Sequence, residues 1–183
     1  MTGVQTCALP ICLNSYAGGT ISWLKNNLGL IKTVEESEMF SKKEKDNNGV
    51  YLIPAFSGLG PPYWNSEARA AFFGISASTN TNHLIRAGLE SVAYQMVVYL
   101  EFMKKTQNME LNNLSIDGGM VKNKFFLQII SDLLEIDLSI PELEEMSSYG
   151  ALLFGIKHFH NIKNLEDLRD FKKIGRASCR ERV

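Results

Sequence analysis

The chemically suggestive residues of this chain are mostly glycines, set where a strand or loop gives way to a helix. In Ile116-Asp117-Gly118-Gly119-Met120-Val121-Lys122-Asn123 the glycines let backbone approach a ligand with no Cβ in the way. The amides of the adjoining helix entrance suit a phosphate or the face of a nucleotide base. By itself, Asp-Gly-Gly reads more readily as a tight turn. Ala17-Gly18-Gly19-Thr20 is a second glycine-rich helix entrance, and a plain helix start is its simpler reading. The third unit is "AFSGLGPPYW", where two glycines and a Pro-Pro pair around Leu59 define a loop that Tyr63 and Trp64 are placed to pack down.

The ionisable residues offer less. Glu90 falls in a helical stretch, where a carboxylate is ordinarily solvated or paired rather than a general base. His83 stands at the start of the same helix, as a surface or capping residue would. His158 and His160 lie near a helix end without the carboxylate or thiolate company of a metal site. Nothing marks a nucleophile elbow, so no Ser-His-Asp arrangement is assigned. No catalytic residue and no metal ligand is expected within the chain.

Periodicity gives the helices and strands that carry these residues. "GGTISWLKNNLGL" has Ile21, Leu24 and Leu28 near helical spacing, and Gly29 lies close to its end. A polar loop is expected next, with "SKKEKD" as a solvated mixed-charge run. "GVYLIPAF" (49–56) and "AAFFGIS" (70–76) read as strands on either side of the turn-rich "SGLGPPYWN". "NTNHLIRAGLESVAYQMVVYLEFMKKT" is a long helix under an Asn or Thr cap, with Leu84, Ala87, Val92, Met96, Tyr99 and Met103 as its apolar stripe. "LSIDGG" reads as a strand, and "NKFFLQIISDLLE" as a helix with Phe126, Ile129, Ile130, Leu133 and Leu134 on one face. "IDLSIP" is another strand, and helices over 147–160 and 164–171 close the pattern. Strands alternating with helices predict an α/β sheet layered with helices.

The two ends are expected to be foreign to the fold. Ala8-Leu9-Pro10-Ile11 can be written GCT CTT CCG ATC, and the reverse complement, read one base on, is ATC GGA AGA GC, which encodes Ile174-Gly175-Arg176-Ala177. Such complementary termini look like translated adapter DNA, so residues 1–11 and 174–183 are expected to be non-native. Cys12 and Lys173 are then junction codons, and 13–173 is the protein proper.

Without those ends three arginines and one glutamate go, and the formal charge moves from -1 to -3. A mildly acidic surface makes no case for nucleic acid or an anionic membrane, which clustered Lys and Arg would attract. Cys7 and Cys179 go with the ends and Cys12 sits on a junction, so neither a disulfide framework nor a cysteine zinc site is expected. No apolar run is long enough to span a bilayer, and "MTGVQTCALPIC" lacks the character of a signal peptide. The expected compartment is the cytosol.

Four segments in order carry a resemblance: "GVYLIPAFSGLGPPYW", "ARAAFFGISASTNTNHLIRAGLESVAYQ", "SIDGGMVKNKFFLQIISDLLEIDLSIPELEE" and "SSYGALLFGI". Together they resemble the C-terminal half of an FGGY-family carbohydrate kinase, across nearly all of residues 17–160. The resemblance implies an actin-like, ribonuclease-H-like fold of two α/β domains, with MgATP and a small polyol meeting in the cleft between them. This chain would supply most of the nucleotide-side domain, incomplete at its start. By motif match, Gly119 and Asn123 fall where the family holds the adenosine of ATP or ADP, and Gly18 falls in the glycine segment on its other side. Ser22 matches a position that typically carries Gln, which alters any side-chain contact to the nucleotide there. Gly88 stands where a hydroxyl or small branched residue is expected, at a helix cost of about 1 kcal/mol against Ala. The catalytic carboxylate is expected in a Gly-Asp segment upstream of this sequence, with the sugar-binding domain further upstream. The loop "AFSGLGPPYW" lacks the Glu-Arg pair of pentulose kinases, which favours glycerol as the polyol. The whole protein is expected to be a homo-oligomer.

Overall fold

The computed structural model describes residues 17–107 and 113–140, together with positions 150, 152, 155 and 158. Helix α1 (Ala17–Asn26) buries Thr20, Ile21 and Leu24, the spacing of a single inward stripe. Gly29, at φ +64°, turns the chain out of it, and its amide returns to Lys25 O at 3.1 Å.

The expected polar loop contains a further helix, α2 (Glu36–Ser41). Six residues are too few to reveal a period, and the segment is rich in charge. Local bonds start it: Thr33 Oγ1 accepts from Glu36 N at 3.4 Å, and the Glu36 carboxylate accepts from Lys32 N at 2.7 Å. Ser37 and Ser41 point inward and are fully buried.

Strands β1 (Tyr51–Ile53) and β2 (Ala71–Phe73) pair antiparallel, Tyr51 opposite Phe73 and Ile53 opposite Ala71. Leu52 faces the core, while Tyr51, Ile53 and Phe73 face outward. Between the strands the "SGLGPPYWN" loop closes on itself, with Leu59 and Asn65 exchanging backbone bonds at 2.8 and 2.9 Å. Here the expectation for Tyr63 and Trp64 is corrected. They are 63% and 73% exposed and do not pack the loop down, because the backbone bonds already close it and both rings point away.

The long helix α3 (Thr81–Gln107) begins with a reciprocal cap. Asn80 Oδ1 accepts from His83 N at 3.2 Å, and His83 Nδ1 accepts from Asn80 N at 3.0 Å, so the imidazole takes the part that Glu or Gln plays in a capping box. His83 caps as expected, and it is buried rather than on the surface. Of the expected stripe, Ala87, Val92, Tyr99 and Met103 are buried and Leu84 and Met96 partly so; Ile85, Leu89, Ala93 and Leu100 complete the inner face.

The last described unit runs strand, helix, strand. β3 (Asn113–Ser115) lies parallel to β4 (Asp137–Ser139), joined through a 3₁₀ turn (Gly119–Lys122) and helix α4 (Lys124–Leu134). A helical crossover is what a parallel pair requires. Phe126, Leu127 and Ile130 form the buried face of α4, while Leu133 is 43% exposed, since Leu127 rather than Leu133 joins the core. One apolar core gathers the inner faces of α1, α3 and α4 with Leu114, Ile116 and Leu138 of the parallel pair. Of the helix expected over 147–160, Gly150, Leu152, Gly155 and His158 are described, each helical; the expected helix over 164–171 lies outside the described residues.

Candidate functional site

Helix α1, which carries Gly18 and Ser22, packs against the 3₁₀ turn that carries Gly119. Gly18 and Gly119 are exposed, Ser22 is half-buried, and Asn123 is buried.

The glycines separate into two kinds. Gly118 sits at φ +96°, a conformation that L side chains rarely adopt, so the turn itself demands glycine. Gly18 and Gly119 differ: neither has a positive φ, and a Cβ on either would meet nothing within 4 Å. Glycine costs a helix about 1 kcal/mol against alanine, yet the described chain gives no steric reason for it at these two positions. A ligand lying against the backbone is such a reason.

Asn123 is the N-cap of α4. Its Oδ1 accepts from Phe126 N at 2.9 Å, and its Nδ2 donates to Ser37 Oγ at 3.3 Å. Each end of the side-chain amide thus holds one bond inside the protein. Its own backbone N donates to Met120 O at 3.1 Å and closes the 3₁₀ turn. The amide after it, Lys124 N, donates to the Glu38 carboxylate at 3.2 Å.

That last bond decides between the two ligands the helix entrance would suit. A carboxylate already occupies the anion position at the start of α4, and a phosphate there would meet like charge. The entrance favours an uncharged part of a ligand, such as a nucleoside. Ser37 and Glu38 escaped the sequence reading because they belong to α2 and lie 86 residues from their partners at 123 and 124. No local spacing carries such a signal.

Glu90, Arg86 and His83 hold structural bonds. Glu90 is paired, as the sequence reading allows, and buried: it accepts from Arg86 Nε at 2.8 Å, Asn47 Nδ2 at 2.9 Å and the Tyr94 hydroxyl at 3.4 Å. Arg86 Nη1 also donates to Ser41 O at 3.3 Å and Glu44 O at 2.7 Å, so this pair straps the 41–48 linker to α3. His83 Nε2 lies 3.5 Å from the Glu44 carboxylate. Among the described residues no three of His, Cys, Asp and Glu come together to hold a metal ion. Among them also, no helix is long and apolar enough to cross a membrane.

The FGGY family of carbohydrate kinases, C-terminal domain, matches residues 5–158, a range that enters the 1–11 segment. The glycerol kinase of Shewanella pealeana is 46% identical over 134 residues, covering 73% of this chain and 27% of that protein. The glycerol kinase of Citrobacter koseri is 42% identical over 160 residues, covering 87% and 32%. Among solved structures, Plasmodium falciparum glycerol kinase with ADP superposes with a TM-score of 0.71 at 31% identity, over 88% of this chain and 33% of that one. Ligand-bound xylulose kinase from Lactobacillus acidophilus reaches the same TM-score, 0.71, at 16% identity, over 87% and 32%, a likeness of fold alone. The chain therefore spans about a third of the length of these relatives. Its fold is the actin-like, ribonuclease-H-like α/β fold of such kinases. The chain belongs to the FGGY family of carbohydrate kinases and matches their C-terminal domain.

Proposed function

We propose that this chain is the nucleotide-binding part of a glycerol kinase, an enzyme that passes the γ-phosphoryl group of ATP to a hydroxyl of glycerol, yielding glycerol 3-phosphate and ADP. The observation that carries the reading is the pairing of Gly18 and Gly119, two glycines without a steric need in the chain, on elements that touch. Gly18, Ser22, Gly119 and Asn123 line the adenosine end of the site. Asn123 acts there through the shape it imposes on the turn, since its side-chain amide is already bonded. Identity of 46% and 42% to glycerol kinases, and among superposed structures 31% to a glycerol kinase against 16% to a xylulose kinase, supports glycerol over a pentulose.

Magnesium belongs to the bound ATP rather than to any described residue of this chain. The carboxylate that takes the proton from the glycerol hydroxyl, and the domain that holds glycerol, lie in the rest of the protein. Phosphoryl transfer depends on positioning nucleotide and alcohol together, so this chain alone supplies half of a cleft and gives no turnover. Residues 13–173 are the kinase part, with 1–11 and 174–183 non-native; sequencing the source DNA through codons 12 and 173 tests that division. The whole enzyme is a cytoplasmic homo-oligomer.

The test is a coupled ADP-release assay on the full protein with glycerol and with D-xylulose, in wild type and Gly119→Val. Glycerol is expected to be much the better substrate. Gly119→Val is expected to raise KM for ATP by about ten-fold, with no loss of thermal stability, because its Cβ enters open space. Preference for the pentulose would move the protein to another branch of the family. An unchanged KM for ATP would remove Gly119 from the site.

A further inference from the structure

We propose that Ser37 and Glu38, on the short helix α2, are positioning residues for this nucleotide site, an inference that rests on the nucleotide reading above. Neither touches the glycine segments. Both act through the start of α4.

The Gly118-Gly119 backbone has no side chains of its own to hold it, so its place is set by the residues next along the chain. Chief among these is Asn123, which joins three elements. Its backbone N closes the 3₁₀ turn on Met120 O at 3.1 Å, its Oδ1 caps α4 at Phe126 N, and its Nδ2 reaches α2. The bond to α2 has a defined sense. Ser37 Oγ donates its single proton to Val34 O at 2.6 Å, leaving a lone pair for Asn123 Nδ2 at 3.3 Å. Ser37 is fully buried, so no water substitutes for it.

Glu38 adds the second tie. One carboxylate oxygen accepts from Lys124 N at 3.2 Å and the other from Lys42 Nζ at 2.6 Å. Two neighbouring residues of α2 thus bind positions 123 and 124, one through a side chain and one through a backbone amide. A rotation of α4's first turn breaks both bonds, and it carries Gly119 away from α1. The pair accordingly holds the floor of the site in register with its other wall.

The experiment measures KM for ATP, KM for glycerol and thermal stability in the full protein for Ser37→Ala, Glu38→Ala, Glu38→Gln and Gly119→Val. Ser37→Ala and Glu38→Ala are expected to raise KM for ATP by about five-fold, the worth of one such hydrogen bond, with KM for glycerol unchanged. Glu38→Gln keeps an oxygen for Lys124 N and is expected to restore most of the loss. The Glu38 side chain is 25% exposed, so its variants test the idea even where Ser37→Ala fails to fold. If both alanine variants lower stability but leave KM for ATP untouched while Gly119→Val raises it, the positioning role is overturned and the nucleotide reading stands. If Gly119→Val also changes nothing, both fall together.

Discussion

A Cβ added to Gly88 would stand 2.5 Å from Cδ1 of Leu24, where α1 crosses α3. This reverses the expectation that glycine here is merely a cost to the helix. Leu24 is fully buried, so its tip has little room to move aside. Gly88→Ala gains about 1 kcal/mol of helix propensity and loses about 2 kcal/mol to overpacking, so the variant is expected to be less stable by about 1 kcal/mol. Urea denaturation checks the sign. A stabilised Gly88→Ala would mean that the helices part without penalty.

The Glu90 carboxylate is the hub of the strap between α3 and the linker before β1. Glu90→Ala leaves the Arg86 guanidinium and the Asn47 amide facing a buried gap and is expected to cost about 3 kcal/mol. Glu90→Gln keeps one acceptor and is expected to cost about half as much. Tyr94 reports on the same hub: burial first, then the charge of Glu90, holds its hydroxyl above the usual tyrosine range. Spectroscopic titration of tyrosinate should show this group falling part of the way back in Glu90→Gln. A phenol whose folded pKa is raised contributes stability that is fully present below its unfolded pKa and is lost as pH rises through the folded one.

Glu44 predicts the behaviour in acid. The side-chain amides of Asn82 and Asn80 hold its carboxyl below the usual glutamate range, with a smaller pull from His83. A carboxyl held low in the folded state contributes stability above its unfolded pKa, and loses it as pH falls through the folded value. Stability measured as pH is lowered through 4.5 and beyond should therefore fall less steeply in Glu44→Ala than in wild type. Equal slopes would show that these bonds do not discriminate the charged form.

Trp64 is 73% exposed and holds a left-handed backbone at φ 45°. The loop is anchored instead by the Leu59–Asn65 bonds, and at its base by Phe56, whose ring centre lies 5.0 Å from that of Trp23. Trp64→Ala is expected to change stability by less than about 0.5 kcal/mol, as for an ordinary surface position. Phe56→Ala is expected to cost several times more. Thermal melts of the two variants side by side separate the anchor from the ornament.

Several elements were legible in the sequence because their causes are local. The α3 stripe recurs along the whole helix, the Asn80 cap sits one residue before it, and β-branched and aromatic runs mark β1 and β2. The glycine segments at 17–20 and 117–119 were legible for the same reason, as was their resemblance to a carbohydrate kinase. Helix α2 was not. Its six residues hold no periodic signal, and its place is given by Ser37 and Ser41 turning into the core and by bonds to α4.

The family, the order of the described helices and strands other than α2, and the candidate glycines were readable from the chain, since each depends on near neighbours in sequence. Three facts came only with the packed fold: the helix of Gly18 packs on the turn of Gly119, Gly88 is a crossing point, and a carboxylate from α2 fills the entrance of α4. They depend on residues far apart in the chain, 86 positions for the bonds between α2 and α4, and contacts at such separation exist only after the core has closed around them.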